Sequence, residues 1–199
     1  MHKNLMNLEN IRTIVAAVMI AFVLVSAQSC KSEYTKIVES ELASGITYDS
    51  LIFDLKIGQT KKDFYKYCWD MNKEKQITAG SGNKYALFVL PKDSTDKYPD
   101  KINVEFYGMF DEEEVMHGME MKMEYYSWAP WLDQFQVDKL MAKIQAKMMK
   151  DYPGNNFIEI PVGETTALVK VDGNRQIRMY PLTVKQIMVK IEDLRTKNI

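Results

Sequence analysis

Met116, His117, Met119, Met121 and Met123 fall within one short stretch, DEEEVMHGMEMKMEYY, and could hold a soft metal. Thioether and imidazole groups suit Cu(I), and Glu114 lies beside them. The same spacing has another meaning. Met119, Met121 and Met123 recur with period two, so a strand would put all three on one face, and methionine is a common core filler. Neighbouring strand residues face opposite ways, so His117 needs a bend at Gly118 to join Met116. Packing is the expected role of these side chains. No bound metal and no other cofactor is expected.

Nucleophilic catalysis has little to work with. The chain holds only two histidines, His2 and His117, and two cysteines, Cys30 and Cys68. No G-x-S-x-G elbow is present, and no local motif links Cys68 to His117. Aspartate and glutamate are plentiful, but a carboxylate hydrolase needs placement as well as abundance. The chain is therefore expected not to be an enzyme, with a small hydrolase ranked third among its functions.

The rings Tyr125, Tyr126, Trp128, Trp131 and Phe135 could stack on a sugar or grip a protein, since Tyr and Trp are enriched where interfaces concentrate their energy. The rival role is to plug a junction, with Pro130 stiffening the turn. Trp131 is expected in the core, and Trp128, with Tyr125 and Tyr126, nearer a binding surface. Asp49-Ser50-Leu51 and Asp93-Ser94-Thr95 match a three-residue O-glycosylation pattern of Bacteroidetes envelope proteins. This makes Ser94, in a polar loop, and Ser50 candidate modification sites.

The stretch FVLVSAQSCKSE sets the expected location. Lys3 and Arg12 precede an uncharged apolar run, IVAAVMIAFVLVSA, about the length of a signal-peptide core and shorter than the roughly 20 residues of a membrane span. Small residues Ser26, Ala27 and Ser29 then lead to Cys30. This resembles a bacterial lipoprotein signal, which implies cleavage after Ser29 and acylation of Cys30. Ala27 stands where that signal usually has leucine, so ordinary cleavage after Ala27 or Ser29 is the rival reading. By resemblance, Lys31 after the cysteine implies the outer membrane, facing either the periplasm or the outside.

Loss of residues 1–29 moves the net charge from −1 to about −2. A near-neutral, evenly mixed surface carries no electrostatic footprint for nucleic acid. With Cys30 acylated, Cys68 has no partner and no disulfide is expected.

These residues need elements to position them. Residues 30–48 are expected to form a lipidated tether or a short helix, with Tyr34, Ile37, Val38 and Leu42 at helical spacing before Gly45. Thr60 can cap a helix with Asp63 at its third position, and Phe64, Tyr67, Cys68 and Met71 form one apolar face with Trp69 pointing elsewhere. Strands are predicted at 84–90, from Ile102 through Phe106, and at 115–126, with an acidic turn at 111–114. Val137, Leu140, Met141, Ile144 and Met148 define a second amphipathic helix, stopped by Pro153-Gly154. FIEIPV, TALVKV, QIRMY and KQIMVKI follow as strands, with Asp172-Gly173-Asn174 as a hairpin signal. Helix then strands, twice, predicts an α+β fold: an antiparallel sheet packed by two amphipathic helices. The globular part is expected over 49–194, in tandem halves of about 49–126 and 127–194, with 195–199 as a tail.

The opening IGQTKKDFYKYC looks like that of small lipoproteins and secreted inhibitors with the β-lactamase-inhibitor-protein-like fold. Together with SWAPW and VDGNRQI, it resembles a family of Bacteroidetes lipoproteins that carries no assigned activity. The resemblance implies fold and location and leaves activity open. The expected function is a non-catalytic binding or envelope-assembly module on the outer membrane, whose partner is another envelope protein or a glycan. Copper handling by segment 116–123 is the alternative.

Overall fold

The computed structural model describes residues 32–163 and 165–196. Cys30, the expected signal segment and residues 197–199 lie outside the described residues. The chain divides into two compact units, Met1–Lys36 and Ile37–Ile199. In the first, the described residues are the start of α1 (Glu33–Ala43), where the Thr35 backbone N–H donates to Ser32 Oγ at 3.1 Å as an N-cap.

The second unit holds the rest of α1, with Val38 buried, and then α2 (Lys61–Lys73), β1 (Ile77–Ala79), β2 (Ala86–Leu90), β3 (Ile102–Phe110) and β4 (Met116–Tyr125). After these come α3 (Val137–Asp151), β5 (Ile158–Val162), β6 (Thr165–Asp172), β7 (Arg175–Pro181) and β8 (Gln186–Asp193). Among the described residues the strands form one antiparallel sheet in the order β1-β2-β3-β4-β8-β7-β6-β5. Each helix-plus-four-strands run contributes a meander, and the last strands of the two runs pair with each other, Met121 opposite Val189. The fold is α+β. No helix among the described residues is long and apolar enough to cross a membrane.

Local chemistry explains the elements. Thr60 Oγ1 accepts from the Asp63 backbone N–H at 3.1 Å and donates to the Asp63 carboxylate at 2.7 Å, capping α2 as its sequence predicts. Phe64 and Met71 are buried, Tyr67 and Cys68 pack against the core, and Trp69 is exposed. In α3, Leu140, Ile144 and Met148 are buried at i, i+4 and i+8. Each large apolar side chain so buried contributes about 1.5–3 kcal/mol. Strand β1 went unpredicted because three residues carry too little periodicity. Its brevity suits a sheet edge, as does Pro161 in the other edge strand, β5.

The methionines complete this core. Met119, Met121 and Met123 face it from β4, each at most 4% exposed. Between Met116, opposite Phe110, and Gly118, opposite Met109, the register skips His117, so a bulge resets the alternation and Met116 is buried too. Gly118 is needed where β4 meets β8, because a Cβ there would lie 2.5 Å from the Ile191 carbonyl oxygen. Gly173, in the two-residue turn between β6 and β7, has φ +54°, and the hairpin forms where Asp172-Gly173-Asn174 predicts it.

Candidate functional site

Between α2 and α3 the sheet face over β2–β4 is covered by a loop. Leu51 and Leu55 anchor it, with the Leu51 N–H donating to Leu55 O at 2.8 Å and the Ile57 N–H to Asp49 O at 2.8 Å. These bonds hold Phe53 and Asp54 at φ 56° and 57°, left-handed backbone that costs a non-glycine residue about 1–3 kcal/mol. The Phe53 ring is seated 4.8 Å from both Phe88 and Phe106.

Beside that ring lies a chamber of about 480 Å³, walled by Phe53, Phe88, Val104, Met123, Ile144 and Met148. Of its polar residues, Ser50, Asp54, Lys147 and Asp151 belong to exposed or half-exposed positions and Tyr152 is buried. A larger open groove of about 700 Å³ adjoins it along α3. Leu90, Ile144, Lys147 and Asp151 line both. The two volumes lie in the range of about 300–1,000 Å³ typical of small-molecule sites.

The groove is basic. Lys97, Lys139, Lys143, Lys147 and Lys150 line it against Asp93, Asp96 and Asp151. Four of these lysines form one stripe of α3, at helical spacing 139, 143, 147 and 150. Lys143 pairs with Asp96, Lys147 with Asp151 at 2.8 Å and Lys139 with Asp138 at 2.8 Å. Among the described residues, Lys97 and Lys150 have no ion pair. The Asp93 carboxyl is held below its ordinary range, first by the Thr95 hydroxyl and backbone N–H, with the charges of Lys143 and Lys150 adding to this. Burial, followed by the charges of Asp96, Asp100 and Asp138, pushes the Tyr125 hydroxyl up to about 12.

The tryptophans exchange the expected places. Trp131 is 78% exposed, and Trp128 packs against the core with its indole N–H buried and unpartnered among the described residues. The bonds around the turn give the reason. Ser127 donates through its N–H and hydroxyl to Asp100, at 2.9 and 3.0 Å, and the Gln136 amide donates to the Ala129 and Leu132 carbonyls. This ties the chain down on both sides of Trp131 and directs Trp128 inward. Tyr125 is also a correction: it is 6% exposed, packs on Phe135 at 5.0 Å, and reaches a ligand only through the groove. Tyr126 is exposed.

The other sequence candidates are dispersed. Met116, Met119, Met121 and Met123 are core side chains, and His117 stands on the bulge, partly buried. Burial pushes the Cys68 thiol up to about 11, the reverse of what a nucleophile needs. Ser50 and Ser94 are both exposed, and Thr95 beside Ser94 folds back to donate to Asp93 at 2.6 Å. Sequence reasoning missed the groove. Its one available signal was the α3 lysine stripe, which looks like an ordinary solvated helix face, and nothing local announces the strained loop at Phe53.

Comparisons with protein-family models, with curated proteins and with solved structures find no match to this chain.

Proposed function

We propose that the protein is an outer-membrane lipoprotein, anchored through acylated Cys30, whose globular part is a non-catalytic binding module with its ligand seat in the cleft between α3, the β2–β3 loop and the 50–56 loop. The observation that carries the reading is the adjacency of a largely apolar chamber to a lysine-lined groove, a concave site with a few polar groups in its lining. The raised thiol of Cys68 supports a role other than nucleophilic catalysis. Anchoring follows from acyl chemistry, since each buried methylene contributes about 0.8 kcal/mol and two or three chains hold a protein on a bilayer.

The test has two arms. Cys30→Ala should abolish acyl labelling and release the protein from membranes; unchanged palmitate incorporation would refute the anchor. In the second arm, lysine acetylation is mapped on the full chain in nanodiscs, with and without envelope extract. Lys143, Lys147 and Lys150 should be protected several-fold while Lys66, paired on α2 away from the cleft, is not. Uniform labelling with and without extract would refute the cleft as the ligand seat.

A further inference from the structure

We propose that the cleft takes a single-chain anionic amphiphile, a fatty-acid-like carboxylate with its acyl chain in the chamber beside Phe53 and its head at Lys147 and Lys150. This rests on reading the cleft as the binding site, and it names the ligand class. The apolar side chains of the chamber open to a ligand are Ile52, Phe53, Phe88 and Leu90, backed by the buried Val104, Met123, Ile144 and Met148, while Ser50, Asp54, Lys147, Asp151 and Tyr152 supply its polar groups. A sugar seated against the apolar side chains would lose its bonds to water without replacement there, whereas an alkyl chain has none to lose.

The head group follows from the mouth. Lys147 lines both the chamber and the groove, and Lys150 stands one turn further along the same stripe of α3. Lys147 shares Asp151, but Lys150 has no ion pair among the described residues, and over groove and chamber together five lysines face four aspartates, Asp54 being the chamber's own. That surplus favours one negative charge and opposes a cationic head of the same length. The Phe53 ring, held on a left-handed backbone beside Phe88 and Phe106, forms part of the chamber wall.

The experiment uses the full chain in phosphatidylcholine nanodiscs with a diazirine-bearing dodecanoic acid, and adducts are mapped by mass spectrometry. Adducts are expected on Phe53, Phe88 and Leu90. Laurate should compete at least tenfold better than dodecyltrimethylammonium. Lys147→Gln with Lys150→Gln should cut labelling at least fivefold, and loss of the half-exposed Lys147–Asp151 pair should lower the melting temperature only slightly. Leu90→Trp should abolish it by filling the shared rim. Adducts confined to other surfaces, or equal competition by the cation, would overturn the proposal. If extract protects the groove lysines while the diazirine probe leaves the chamber unlabelled, the ligand class fails and the cleft reading stands; if there is neither protection nor labelling, both fail.

Discussion

Lys170 and Asp172, two residues apart on β6, form an ion pair with side chains only 0% and 5% exposed. The ammonium lies 2.8 Å from Asp172 Oδ2 and 3.0 Å from Oδ1, with its hydrogen bond aimed at Oδ1, and it also donates to the Asn155 carbonyl. Asp172 Oδ1 accepts from the Asn155 backbone N–H at 2.7 Å. The pair thereby fastens the chain after α3 to the β6–β7 hairpin. Arg175 stands beside it, its guanidinium 4.5 Å from the Tyr48 ring and 4.6 Å from the Tyr152 ring.

Breaking this pair from one side leaves a buried charge. Lys170→Met should cost about 3–5 kcal/mol in urea unfolding. Asp172→Asn, which strips two buried cations, Lys170 and Arg175 at 3.7 Å, of their carboxylate, should cost more than Lys170→Met, after which Arg175 still faces Asp172. Equal losses would show that Arg175 gives Asp172 no compensation.

The tryptophans should separate by burial. Trp131→Ala should shift stability by no more than about 0.5 kcal/mol, as for an exposed surface residue. Trp128→Ala should cost about 2–4 kcal/mol, near the lower end for a core tryptophan because the ring is only partly buried. Thermal denaturation of the two variants checks this, and a larger loss at Trp131 would contradict the packing described.

Alkaline pH should destabilise the fold. Burial raises Tyr125 and Tyr152 from 10.0 to about 12, and Cys68 from 9.0 to about 11. Between about pH 9 and 12 the unfolded chain releases protons that the folded protein keeps, so stability falls as pH rises through that window and levels off above it. Below it these groups add no slope. Tyr152→Phe should flatten the decline measured by urea midpoints from pH 8 to 11.5, and Cys68 should alkylate slowly at pH 7 until the protein unfolds. A midpoint flat to pH 11.5 in the unaltered protein would exclude the burial of these hydroxyls.

By itself the sequence determined what nearest neighbours control. Thr60 and Asp63 specify the start of α2, the spacing of Phe64 and Met71 its buried face, Pro153-Gly154 the end of α3, and Asp172-Gly173-Asn174 the tight turn, because each depends on hydrogen bonds or side-chain faces within one or two turns of chain. The same period-two logic placed Met119, Met121 and Met123 in the core. Tertiary structure decided the rest. Pairing of β4 with β8 joins residues some 70 positions apart, and no local pattern encodes that register. Which ring of SWAPW turns inward depends on Asp100 and Gln136, partners on other segments. The chamber exists only because Phe53, on a backbone its own type disfavours, is held beside Phe88 and Phe106 while Ile144 and Met148 approach from α3. A cavity is a property of surfaces from distant segments that fail to fill the space between them, so sequence periodicity, which reports one element at a time, cannot describe it.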